Sequence, residues 1–379
     1  MAGRLNTMHN VMGIIFSDMN DQRLQELTAR RCMGSIPVGG RYRLIDFVLS
    51  GFANAGLENV GVVTKSNYQS LMDHLGNGRE WDLSRKRGGL IILPPFGQAQ
   101  GGVYRDRVEA LANIAGYIEH QSEQYIVMAD CDAMANIDYK AFVQAHIDAQ
   151  ADMTVMYKTM QLGDSNPNRQ LSTFILDNDD NVREMLIHPD IKGDHNVYIN
   201  NIVISKELLM RLVSECYSRS KLSLDIDILQ AGIGKYKIKG FEFKGHVGRF
   251  DDMKSYYNEN LALIDPKVRA ALFPSDMPIY TKVRDEAPVR YGLDADVTNS
   301  LVADGCIIEG EVKNSVLFRG VTVAKGAKVH NSIVMQGTTI GKDCNLQYII
   351  CDKNVVVNDS RVIIGFETYP VYIAKGSAV

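Results

Sequence analysis

The sequence predicts an α/β domain with a mostly parallel sheet, followed by a parallel β-helix. Three observations predict it. Apolar runs of strand length alternate with amphipathic helical stretches through the first two-thirds of the chain. Helical periodicity stops after residue 292. Beyond that point a short motif recurs at intervals of 15, 17 and 16 residues, the mark of stacked coils.

The alternation can be followed in order. "VMGIIF" (11–16) is a continuous apolar run, read as a buried strand. "YRLIDFVLSGFANAG" (42–56) places Leu44, Phe47, Val48 and Phe52 on one helical face and ends at Gly56. "VGVVTK" (60–65) is a second strand, "RVEALANIAGYIEHQ" (107–121) an amphipathic helix, and "QYIVMADCD" (124–132) a strand ending in carboxylates. A helix over 139–150 and a strand over 152–160 complete the βαβα order. From about 171, "LSTFILDNDDNVREMLIHP" predicts two strands around an Asp/Asn turn. Helices follow at 205–219, with Ser205 as N-cap, and at 253–264. The segment 265–292 has no clear period and holds four of the ten prolines, which marks an interdomain crossover. The expected units are therefore 1–264, the crossover 265–292, and 293–379.

In the last unit "NSLV" (299–302), "NSVL" (314–317) and "NSIV" (331–334) recur, with "QYII" (347–350) in phase. Leu317, Val323 and Val329, then Val334, Ile340 and Leu346, fall six residues apart. This is a hexapeptide-repeat parallel β-helix, in which no coil buries its apolar edge alone.

Composition narrows the function. The formal charge is 41 − 45 = −4, so no global basic field attracts nucleic acid, and none is expected as a partner. No apolar run reaches the roughly 18 residues of a membrane span, and "MAGRLNTMHN" lacks the apolar core of a signal peptide. The six cysteines show no metal-ligand spacing and read as reduced thiols of a cytoplasmic protein.

One stretch carries the chemical question. "IIFSDMNDQRLQELTARR" (14–31) passes from buried strand to polar helix, the usual place for a phosphate-binding turn. Such turns use glycine so that backbone N–H groups can approach phosphates. This one contains none, although the chain has 32 glycines.

"VGGRYRLIDFVLSGFANAGLENVGVVTK", "YYNENLALI" and "VTNSLVADGCIIEGEVKNSVLFRGVTV" resemble the glucose-1-phosphate adenylyltransferase (ADP-glucose pyrophosphorylase) family over nearly the whole chain. The resemblance implies a Rossmann-like nucleotidyltransferase domain joined to a left-handed β-helix. It also implies the family reaction of bacterial glycogen biosynthesis, in which ATP and glucose-1-phosphate give ADP-glucose and pyrophosphate. That in-line attack needs backbone donors, fixed cations and carboxylate-held Mg²⁺.

The family's motifs transfer one residue at a time. Its turn reads LAGGxGTRL. Aligned on Arg23 and Leu24, Ser17, Asp18, Met19 and Asp21 lie over Ala-Gly-Gly and the third glycine. Each new carboxylate is expected to face a triphosphate, at a cost of roughly 4 kcal/mol per like-charged pair at about 4 Å and an effective dielectric near 20. The lysine of RAKP falls on Met33, and YRGTADA becomes Tyr104–Ala110 without its Gly-Thr. The metal-holding Asp of GDH is retained as Asp132, with Cys131 for glycine, so Asp132 is the one candidate metal ligand. The sugar-phosphate lysine falls on His188, and the second metal carboxylate falls on Arg249, with Asp251 and Asp252 one register shift away. No catalytic residue is assigned from this set, and the chain itself is expected to require no cofactor.

The pattern is similar to the GlgD-type, regulatory subunits of that family. The resemblance implies a hetero-oligomer, a tetramer in stoichiometry, with a catalytic GlgC-type paralogue. It also implies an anionic sugar-phosphate effector bound by Arg31 and Arg43, with Arg30 and Arg319 contributing. The competing reading for these arginines is a solvated face or ion pairs to Asp46 and Glu58. Two other functions stay open: an active adenylyltransferase with a remodelled loop, and a hexapeptide-repeat acyltransferase, for which His330 is the only histidine after 292.

Overall fold

A computed structural model describes residues 7–95, 104–163 and 171–379. Residues 1–6, part of the segment read for a leader, lie outside them. Nine strands build the first sheet: β1 (Val11–Phe16), β2 (Asn59–Val63), β3 (Gly89–Leu93), β4 (Tyr125–Asp130), β5 (Met153–Leu162), β6 (Ser172–Leu176), β7 (Val182–Ile187), β8 (Gly193–Ser205) and β9 (Ile238–Glu242). The order is β7-β6-β8-β4-β1-β2-β3, with β5 also on β8 and β9 on β5.

The sheet is mixed. β4, β1, β2 and β3 run parallel, the arrangement that the βαβα order dictates. The 13-residue β8 then lies antiparallel to β4, β5 and β6. Its polar "GDHNVYINN" half hides the strand signal from the sequence.

Register positions the site. Phe16 lies beside Asp130, and Val63 beside Phe16, so the turn after β1 meets the carboxylate end of β4. Asn201 pairs with Ala129, which sets Asn200 at the same edge. A two-residue ladder, Gly248–Arg249 on Ala133–Met134, places Arg249 opposite Ala133. Ligands of open α/β sheets collect at this edge.

The helix Leu44–Ala55 ends at Gly56 with φ +84, a left-handed cap that glycine adopts without strain. The crossover is not structureless. Asp265 caps a helix over Pro266–Leu272, with proline in its first turn.

From Arg290 onward three five-stranded parallel sheets form the β-helix. Its repeated Asn has a physical reason. Asn299, Asn314 and Asn331 hold φ of +45, +49 and +46, and in the next coil Tyr348, not Gln347, takes that corner at +54, one residue later than the "QYII" phase. Asn is among the few side chains that tolerate this region at low cost. Leu317, Val323, Val329, Val334, Ile340 and Leu346 are all fully buried inside. A continuous core joins the two units, bringing Phe47, Tyr256 and Leu263 together with Val316, Phe318 and Ile333.

Candidate functional site

A cleft of about 560 Å³ opens at the strand ends, the size of a small-molecule site. Its floor is the turn after β1. Ser17 is fully buried there, donating its hydroxyl to the Val63 carbonyl at 2.9 Å. Asp18 is also buried. Its carboxylate accepts the Lys65 backbone N–H and, at 3.1 Å, the Tyr104 hydroxyl. Asp21 accepts the Met33 backbone N–H at 2.7 Å.

Asp18 and Asp21 both line the cleft, as expected of carboxylates at this turn, but each is also tied to the chain's own groups. Both carboxylates are spent on backbone donors of the protein itself. Burial pushes Asp18 up to about 6, with the Lys65 amide opposing it. Burial likewise pushes Asp21 up to about 8, the Asp18 charge adding to it. Burial thus favours the protonated form of Asp21, while Asp18 keeps its charge at neutral pH. The amides of Asp21 and Arg23 are used within the turn as well, on the carbonyls of Asp18 and Asn20.

The wall is a lattice of carboxylates and guanidinium groups. Asp132 accepts from Arg23 at 2.9 Å and from Asn200 at 2.7 Å. Asp251 accepts from the same Arg23 nitrogen at 3.4 Å and from Arg249 at 2.9 Å. Asp252 instead caps the helix Met253–Ala262 through Ser255. Of the two register alternatives for a second carboxylate, Asp251 is thus the one beside Asp132. Arg107 grips Asp130 with two nitrogens and lies over the Phe16 ring. Burial outweighs that guanidinium and pushes Asp130 up to about 6. Asp225 also faces the cleft, raised by burial although Arg107 opposes it.

The other transferred positions separate. Met19 and His188 line the cleft, His188 with a left-handed φ of +48. Met33 does not: it is buried in the core, and only its amide serves the turn. A lysine at that place is therefore replaced by core packing, not by a thioether in the cleft. Sequence reasoning missed Asp130, Arg107, Asn200 and Asp225. Asp130 carried a signal, since it shares "MADCD" with Asp132 at the end of an apolar strand.

The arginine cluster lies at the junction of the two units. Arg31 is buried, with both oxygens of Asp352 at 2.8 Å from Nη2. It is a structural strut across the interface, not an exposed effector ligand. Arg43 donates to Ser70, and Arg319 pairs with Asp304 at 3.1 Å. Arg30 is exposed. The proposed partners Asp46 and Glu58 are engaged elsewhere: Asp46 with His74 and the Arg43 amide, Glu58 with Arg85. Beside this junction a second pocket is lined by Arg41, Arg43, Lys282, Arg284, Arg319 and Lys353, with no acidic side chain in its lining. Trp81 is buried against His74. His330 pairs with Glu311 on the β-helix.

Residues 12–168 match the Nucleotidyl transferase family, and residues 287–369 match the family described as GlmU-like, C-terminal hexapeptide. "Glycogen biosynthesis protein GlgD" of Bacillus subtilis (strain 168) is 33% identical over 97% of this chain and 96% of its own length. The chain belongs to the GlgD-type glycogen-biosynthesis proteins of the glucose-1-phosphate adenylyltransferase family. GlgD of Geobacillus stearothermophilus is also 33% identical, over 85% of this chain and 83% of its own. "Glucose-1-phosphate adenylyltransferase" of Clostridium perfringens (strain 13 / Type A) is 31% identical over 87% and 84%. The GlgD-type chain thus carries both domain types.

Magnesium, which the family reaction employs, does not fit the donor set here. The oxygens of Asp132 and Asp251 that face each other already receive arginine N–H groups. Among the described residues no helix is long and apolar enough to cross a membrane, and the six cysteines are buried free thiols.

Proposed function

We propose that this GlgD-type chain is a regulatory subunit, nearly inactive alone, that assembles with a catalytic GlgC-type paralogue and modulates its synthesis of ADP-glucose. One observation carries the reading: the cleft carboxylates Asp132 and Asp251 are engaged by the chain's own Arg23 and Arg249, and Asp18 takes up the Lys65 amide. Removal of a single transition-state donor typically costs ~10²–10³ in rate, and here the Lys65 amide and the carboxylates Asp132 and Asp251 are all engaged within the chain. The chain needs no cofactor for such a role.

The basic pocket supports an anionic sugar-phosphate effector through its phosphate group alone, since the pocket measures only about 30 Å³ and Arg319 is already paired with Asp304. Arg43, Arg319 and Lys353 converge there from both units, so an anion held between them bears on the interdomain geometry. Arginine suits bidentate phosphate recognition. Arg31 takes the supporting role, fixing the junction from behind.

The approach of Asp251 to Asp132 favours a second reading, an active adenylyltransferase that reopens its cleft. Mixing the purified chain with the catalytic paralogue separates the two. The regulatory reading expects co-elution on size exclusion and a changed maximal rate or substrate affinity of the mixture. No co-elution and an unchanged rate contradict it.

A further inference from the structure

We infer that Arg23 and Arg249 stand in the place of a divalent cation between Asp132 and Asp251, and that the cleft consequently takes no metal at that point. Nη1 of Arg23 lies 2.9 Å from Oδ2 of Asp132 and 3.4 Å from Oδ1 of Asp251. One nitrogen thus bridges one oxygen of each carboxylate, which is the position of a bridging ion. Nη2 of Arg249 lies 2.9 Å from that same Asp251 oxygen, and its Nη1 donates to the Tyr198 carbonyl.

The positions are imposed by the backbone. The ladder that sets Arg249 opposite Ala133 also brings Asp251 round to Asp132, and the irregularity in the middle of β8, between Tyr198 and Ile202, delivers Asn200 (φ +53), whose amide adds a further donor on Asp132. All four charged side chains are nearly buried, at 2–9% exposure. Two carboxylates and two guanidinium groups balance. A divalent ion added to them would leave a buried excess of two positive charges, which a low-dielectric site does not tolerate. Mg²⁺ also needs near-octahedral oxygen ligands at about 2.0–2.1 Å, and these oxygens are turned to N–H groups. Among the described residues no group of three or more His, Cys, Asp or Glu side chains is arranged to hold a metal.

This inference concerns the chain alone and is independent of the regulatory reading. It is tested with Mn²⁺ as probe, by the electron paramagnetic resonance signal of the free ion titrated with full-length protein. Wild type and Asp132→Asn are expected to give the same titration. The double variant R23Q/R249Q is expected to bind one Mn²⁺ per chain at least tenfold more tightly than wild type, and the gain is expected to vanish when Asp132→Asn is added. Near-UV circular dichroism verifies folding. Where the double variant does not fold, Arg23→Gln alone frees the bridging position and is expected to show the same direction of change. Wild-type Mn²⁺ binding that Asp132→Asn abolishes overturns the inference, and so does a folded arginine variant with wild-type affinity.

Discussion

Arg31 and Asp352, 321 residues apart in sequence, meet as a buried ion pair that ties the nucleotidyltransferase domain to the β-helix. Removing one member strands the other in a dry interface, at a cost of about 3–5 kcal/mol. Arg31→Ala and Asp352→Ala are each expected to lower stability by that order in denaturant melts. The double variant is expected to lose much less than the sum, because each single change already removes the shared interaction. Additive losses would show that the two side chains act separately.

Asp21 sets a pH dependence. A carboxyl raised to about 8 in the folded chain binds a proton that the unfolded chain has released above about 4. Its contribution to stability is thus full below about pH 4 and is lost as pH rises through 8. Asp18, raised to about 6, acts in the same direction over a lower window. Asp21→Asn keeps an acceptor for the Met33 amide and removes the titration. The variant is expected to exceed wild type by ~1–2 kcal/mol at pH 9, discounted for the partial exposure of Asp21, and to match it near pH 4. Parallel stability profiles from pH 4 to 9 would refute the assignment.

Lys353 makes the basic pocket pH-sensitive. Burial first, then Arg43 and Arg31, push its ammonium down to about 6 against the pull of Asp352. A bound anion favours the charged form, so binding above pH 6 takes up a proton. Sulfate, which does not titrate in this range, is expected to bind up to about tenfold more weakly per pH unit from pH 6 to 8. Calorimetry in buffers of different ionisation enthalpy is expected to register the proton uptake. Lys353→Met is expected to weaken binding and flatten the profile, and pH-independent sulfate affinity in wild type would contradict the account.

The turn alone does not decide catalysis. Asp18→Gly with Asp21→Gly restores glycine without touching Arg23 or Arg249. Pyrophosphate release by that variant alone is expected to stay within threefold of wild type. A rise of ~10² would show that the turn was the whole obstacle, since one donor is worth about that much.

Local patterns made much of the fold legible. "VMGIIF" is β1 residue for residue, and the Asn-Ser repeat marked the corners of the β-helix because left-handed corners select Asn. β8 was hidden, its polar half breaking the apolar run, and the helix Pro266–Leu272 was masked by the proline at its start and by Pro274 and Pro278 that follow it. In the site, the replacement of glycine by Asp18 and Asp21 was readable, but where those carboxylates point was not. Their partners Lys65, Tyr104 and Met33 come from other elements. The Arg23 bridge to Asp132 and Asp251 depends likewise on β-sheet register between distant segments.

The central claim is that this chain's cleft is closed by its own side chains. The most direct measurement is ADP-glucose formation by the purified chain alone, with ATP, glucose-1-phosphate and Mg²⁺ all saturating for the catalytic paralogue. The account predicts a rate at least ~10³ below that paralogue's, the scale of losing one or more transition-state donors. Turnover within about tenfold of the paralogue, abolished by Asp132→Asn, would contradict it.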